Sequence, residues 1–94
     1  MTNTNGQGPK KVKFHLRTEP GCTVSVAGTF NEWDSNAHAL SDKRNDGNFS
    51  LSVMLHPGRY EYKFVINGNW CVDPECSEWV PNAHGSLNSV LHIE

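Results

Sequence analysis

Apolar and polar residues alternate with a period of two over several short stretches, the pattern of strands buried on one face. In Lys11–Arg17, Val12, Phe14 and Leu16 form the apolar side, and Lys11, Lys13, His15 and Arg17 the polar side. Cys22–Ala27 repeats the pattern with Val24 and Val26 inward. Asn48–Leu55 sets Phe49, Leu51, Val53 and Leu55 against Ser50, Ser52 and Met54. Arg59–Ile66 sets Tyr60, Tyr62, Phe64 and Ile66 against Glu61, Lys63 and Val65. Asn69–Val72 reads as a short return strand and Ser86–Ile93 as a last strand. Turn residues separate these stretches at Glu19-Pro20-Gly21, Asn45-Asp46-Gly47 and Pro57-Gly58. Asn67-Gly68 predicts a two-residue type I′ hairpin turn. Gly28–Ser35 reads as a loop, and Asp73–Gly85 as a long loop with two prolines. No stretch carries an apolar 3.6-residue period over ten residues. The pattern predicts an all-β chain, an antiparallel β-sandwich of six to eight short strands.

Length and composition narrow the picture. Ninety-four residues leave room for one domain. At this size only ~60–65% of the unfolded surface is buried, so each large apolar residue matters. Residues 1–10 have no apolar side chain after Met1 and are expected to form a disordered tail, with 11–94 as the domain. The formal charge of −2 argues against a nucleic-acid partner held through phosphates. No apolar run approaches the length that crosses a bilayer, so no membrane partner is expected. The N-terminus does not read as a signal peptide. Three cysteines are an odd count for a disulfide framework. A reduced, cytoplasmic chain is the simplest expectation.

Candidate chemistry begins with what is missing. Five histidines and ten carboxylates fall into no catalytic motif, and a small sandwich seldom has a deep cleft for a glycosidase carboxylate pair. The chain is expected not to be an enzyme. Cys71-x₄-Cys76 with His84 could offer three zinc ligands, but structural zinc takes four in tighter spacings. A Cys71–Cys76 disulfide needs an oxidising compartment. Partly buried thiols are the simpler reading, with no metal and no cofactor.

The tryptophans say more. Trp33 sits among Asn31, Glu32 and Asp34, Trp70 follows a hairpin tip, and Trp79 lies in the long acidic loop. Each could be a loop or core anchor, but three such indoles in a small chain suit an exposed recognition site. A pyranose offers an apolar C–H face to an indole and a rim of hydroxyls to side chains. Lys63 donates only, whereas the Asn88 amide both donates and accepts.

Three stretches carry a resemblance: Val26-Ala-Gly-Thr-Phe-Asn-Glu-Trp-Asp34, Gly58–Trp70 with Tyr62-Lys63-Phe64 inside it and Asp73-Pro74 after it, and Gly85-Ser-Leu-Asn88-Ser-Val-Leu91. In this order and spacing they resemble the family 48 carbohydrate-binding modules. Those modules include the glycogen-binding domain of the AMP-activated protein kinase β subunit and the N-terminal modules of isoamylases and branching enzymes. The match runs from about Val12 to Ile93. It implies an immunoglobulin-like early-set sandwich, without catalytic activity, that binds α-1,4-linked glucans: glycogen, starch or a maltooligosaccharide. It implies stacking by Trp33 and Trp70, and hydroxyl contacts from Lys63, Asn88 and Ser86. A leucine that inserts into the glucan helix in the kinase subunit is His84 here, so Trp79, in the same loop, is expected to compensate. The competing expectation is a module that packs against or docks a glycogen-metabolising enzyme or kinase without binding sugar.

Overall fold

The computed structural model describes residues 8–94. The N-terminal seven residues of the expected tail lie outside the described residues. Eight strands are formed among the described residues: β1 (Lys10–Arg17), β2 (Val24–Gly28), β3 (Ala39–Leu40), β4 (Asn48–Leu55), β5 (Gly58–Ile66), β6 (Asn69–Cys71), β7 (Trp79–Pro81) and β8 (Leu87–Ile93). They are joined by turns and irregular segments, with no helix among the described residues.

Strands β1 and β4 pair antiparallel as one sheet, in register from Lys10 opposite Leu55 to Arg17 opposite Asn48. The other six form a second sheet in the order β3-β2-β5-β8-β7, with β6 pairing the C-terminal part of β5. All pairings are antiparallel. A bridge between Ser41 and Ser50 ties the end of β3 to β4 and so links the two sheets.

The core lies between them. Phe14 and Leu16 from β1 and Phe49 and Leu55 from β4 meet Val24, Val26, Leu40, Tyr62 and Phe64 of the larger sheet. Phe14 packs edge-on to Tyr62 at 5.2 Å between ring centres and stacks on Phe30 at 5.5 Å. Such aromatic pairs contribute ~0.5–1.5 kcal/mol each beyond their buried area. Tyr62 keeps its hydroxyl satisfied by donating to Asp73 Oδ2 at 2.7 Å. Burial, then the neighbouring carboxylate, pushes that hydroxyl's pKa up.

Period-two alternation predicts this architecture, and Asn67 (φ 50°) and Gly68 (φ 84°) both take the left-handed conformation that a type I′ turn needs. The boundaries differ in places. β1 takes in Lys10. β2 omits Cys22 and Thr23, because Thr23 N–H donates to Asn67 Oδ1 at 2.9 Å instead of joining a ladder. β2 gains Gly28, and Glu61 O stands 2.5 Å from where a Cβ would be. The short strands β3 and β7 are not legible as strands, since two or three residues carry no periodicity. The largest correction concerns β5. Lys63 and Val65 are expected to face solvent but are only 8% and 6% exposed. The larger sheet is covered on its outer face as well.

Candidate functional site

That outer cover is a cleft of about 670 Å³, within the 300–1,000 Å³ range typical of ligand sites. Its floor is the outer face of β5 and β8, and its walls are two turns and strand β6.

One wall is the turn after β2. Gly28 ends the strand, and its carbonyl accepts from both Asn31 N–H (3.1 Å) and Trp33 N–H (2.9 Å). The Asn31 side chain locks the turn from within. Its Oδ1 accepts from Gly28 N–H at 2.9 Å, and its Nδ2 donates to Val26 O at 3.1 Å and meets His38 Nδ1 at 2.9 Å. This holds Glu32 (φ 57°) and Trp33 (φ 61°) in left-handed backbone, a conformation costing L-residues ~1–2 kcal/mol each. The half-buried indole of Trp33 is thereby set into the cleft. The adjoining Thr29 is tied to β5: its N–H donates to Glu61 O at 2.9 Å, and its Oγ1 accepts from Glu61 N–H at 3.2 Å.

The facing element is β6. Trp70 sits opposite Val65 in the antiparallel ladder, so the two side chains share the outer face. Trp70 remains 46% exposed. Beside it on the floor, Lys63 Nζ donates to Ser86 Oγ at 2.7 Å and keeps two further protons for a ligand.

The last wall is the tight turn between β7 and β8, organised by Asn82. Its Oδ1 accepts from His84 N–H (2.9 Å) and Ser86 N–H (3.0 Å). Its Nδ2 donates to Asn88 Oδ1 at 3.0 Å. Asn88, 6% exposed, donates in turn to Glu61 Oε1 at 2.9 Å, and Glu61 Oε2 accepts from Arg59 Nη1 at 2.9 Å. The Asn88 amide, then Arg59, holds the Glu61 carboxyl below its usual pKa.

Six of the seven expected site residues, Trp33, Lys63, Trp70, His84, Ser86 and Asn88, therefore meet at one cleft. Trp79 does not. In the β7–β8 ladder it stands opposite Ser89, whereas Val80 stands opposite Asn88. Alternation thus places Trp79 on the other face of the ribbon from the cleft, and its Nε1–H is taken by Asp73 O at 3.3 Å. Its ring does not line the cleft. The cleft also uses Thr29, Glu61, Asn82 and Ala83, which the sequence reading does not single out as binding residues. Glu61 shares a strand face with Lys63 at spacing two, which is a legible signal; Asn82 has none, because its contacts depend on the turn.

The three cysteines are free and partly buried. Cys76 Sγ–H lies 3.2 Å from both Glu78 O and Val90 O, and burial pushes the Cys71 thiol pKa up. No group of three or more His, Cys, Asp or Glu side chains among the described residues is arranged to hold a metal ion.

The cleft sets two indoles over a polar, hydrogen-bonded floor, and the family match makes the chain a carbohydrate-recognition domain. The chain belongs to the family described as the glycogen recognition site of AMP-activated protein kinase, whose profile matches residues 10–94. It is 40% identical to rice (Oryza sativa subsp. japonica) protein FLOURY ENDOSPERM 6, chloroplastic, over 71 residues, covering 69% of this chain and 13% of that protein. It is 43% identical to Arabidopsis thaliana protein PTST homolog 2, chloroplastic, over 51 residues, covering 54% and 9%. It is 31% identical to the human 5′-AMP-activated protein kinase subunit beta-2 over 77 residues, covering 82% and 27%. The chain thus spans about a quarter or less of these relatives. The family is a non-catalytic recognition domain.

Proposed function

We propose that this domain binds α-1,4-linked glucans (glycogen, starch or their maltooligosaccharides) in the cleft between Trp33 and Trp70. The observation that carries the reading is the meeting of two indoles, a buried ammonium and a buried amide at one opening. The indole faces take the C–H faces of successive glucose units. Lys63 donates to sugar hydroxyls, and Asn88 offers one free amide proton and one free lone pair. Ser86, with one lone pair taken by Lys63, donates its hydroxyl proton. His84 stands at the mouth, where a polar ring replaces the inserting leucine of the kinase-subunit pattern. Each bond exchanges water for protein and gains ~0.5–1.5 kcal/mol. A Kd between roughly 1 μM and 1 mM for a short oligosaccharide follows.

The test is a titration with a maltooligosaccharide of about seven glucose units, followed by amide and indole N–H signals in two-dimensional NMR. Joint movement of the Trp33 and Trp70 indoles with the amides of Lys63 and Asn88 supports the reading. No movement at millimolar sugar refutes it and turns attention to a protein partner, such as a kinase or a glycogen-metabolising enzyme. We also propose that the domain belongs to a larger assembly and works in the cytoplasm.

A further inference from the structure

The cleft contains a carboxylate that glucan stacking does not require. Glu61 lies on the floor two residues from Lys63, on the same strand face. Its surroundings form one directional chain: Arg59 to Glu61, Asn88 to Glu61, Asn82 to Asn88, and the N–H groups of His84 and Ser86 to Asn82. Both ends of the chain have a fixed polarity. An ionised carboxylate only accepts, and backbone N–H groups only donate. Asn88 must therefore turn its NH₂ toward Glu61 and its oxygen toward Asn82, and Asn82 must turn its NH₂ toward Asn88. The backbone N–H groups set this polarity from one end, and the Glu61 carboxylate accepts the Asn88 proton that it directs to the floor.

The same carboxylate sets the charge of the floor. Lys63 is buried, and its direct partner, the Ser86 hydroxyl, is neutral. Glu61 is the carboxylate lining the cleft with it. Arg59, beside Glu61, pairs across the ladder with His92, and His92 is engaged by Glu78 Oε1 at 2.9 Å. From the β7–β8 turn His84 faces the opening, and the β2–β3 segment contributes Thr29 and Trp33 but no titratable group to the lining.

We propose that Glu61 is a positioning and specificity-determining residue: it orients the Asn88 amide, and it offsets Lys63 so that the cleft takes neutral glucans and discriminates against phosphorylated ones. This rests on the glucan reading above. Without the carboxylate, the floor beside Lys63 gains one unit of positive charge and Arg59 loses its direct partner, which favours a phosphate monoester. Alternate strand residues lie ~7 Å apart, and at that distance one unit charge in a water-like dielectric changes affinity ~3-fold.

The experiment measures Kd at low salt for maltoheptaose and for maltoheptaose carrying one phosphate monoester, using the whole chain and its Glu61→Gln and Glu61→Ala variants. The Gln side chain still accepts from Asn88 but carries no charge. The ratio of the two affinities is expected to shift ~3-fold or more toward the phosphorylated sugar. The Ala variant removes the partner of Asn88, and its maltoheptaose affinity is expected to fall ~3–10-fold. An unchanged ratio in Glu61→Gln overturns the specificity role, and an unchanged Kd in Glu61→Ala overturns the positioning role. A general loss of packing would lower both affinities and leave their ratio alone, so the ratio separates the proposal from a structural defect even where the Ala variant folds poorly. If the parent itself binds no maltoheptaose, the glucan reading has failed and the inference falls with it.

Discussion

Asn31 does not line the cleft, yet the proposed glucan binding depends on it. Replacing it with Ala removes the acceptor of Gly28 N–H and the donors to Val26 O and His38 Nδ1. Three net hydrogen bonds at ~0.5–1.5 kcal/mol each, with some recovery by water, give a loss of ~2–3 kcal/mol. For a domain of this size that lowers Tm by roughly 10 °C or more. The second effect is local. Glu32 and Trp33 hold a left-handed backbone that the unlocked turn no longer enforces. The Trp33 indole then leaves the cleft in most molecules, and maltoheptaose affinity falls ~10-fold, the equivalent of about 1.4 kcal/mol. Thermal unfolding by circular dichroism and titration calorimetry measure the two effects separately. Asn31→Asp sharpens the comparison, since a carboxylate still accepts from Gly28 but cannot donate to Val26 O. It should fall close to Ala in both assays. An Asn31→Ala protein with parental Tm and parental affinity would refute this account of the turn.

Trp33→Ala and Trp70→Ala should each weaken maltoheptaose binding ~10-fold or more. Trp70→Ala should change Tm by no more than a few degrees, because that indole is half exposed and supports little of the core. Trp79→Ala should leave the sugar Kd within ~2-fold of the parent by calorimetry, since its ring lies on the far side of the β7–β8 ribbon. Gly28→Ala should lower stability by ~2 kcal/mol or more in urea unfolding, because the added methyl meets Glu61 O at 2.5 Å and Tyr62 Cβ at 2.9 Å. The Glu61 carboxyl has a folded pKa below its ordinary 4.5. Its stabilising contribution is therefore complete above that value and disappears as pH falls through the lowered folded one. Stability in urea unfolding should carry this contribution in full from neutral pH down to about 5 and lose it below 4.5 in the parent, but not in Glu61→Gln.

Period-two alternation revealed the long strands because each of them buries one face, and a half-buried strand writes its burial into every second residue. It failed where both faces are covered. Val65 and Lys63 read as solvent-facing because the cover comes from Trp70 and the β7–β8 turn, which are remote in the chain or carry no pattern of their own. The strands β3 and β7 escaped for a simpler reason, being shorter than one full alternation. Within the site, Trp33, Lys63, Trp70 and Asn88 were legible as chemistry: flat indoles, a donor and an amide. Trp79 carries the same chemistry, and only the ladder register shows that it points away. Asn31 and Asn82 were legible as turn formers alone. Their part in holding Trp33 and Asn88 depends on hydrogen bonds that no single-residue property reports.

The strand order also governs how the site comes into being. The pairings of β1 with β4, β2 with β5, and β5 with β8 join residues 27 to 45 positions apart. Such non-local ladders close late and place sandwich folding on the millisecond-to-second scale. The hairpin of β5 and β6 is local and has its turn built in, so it is the natural early element. It brings Lys63 and Trp70 together, but Trp33 arrives only when β2 docks on one edge of β5, and Asn88 only when β8 docks on the other. The cleft is therefore assembled by the last long-range events of folding, and its binding capacity reports on the completeness of the whole sandwich. A folding assay that follows recovery of maltoheptaose binding should lag behind one that follows strand formation.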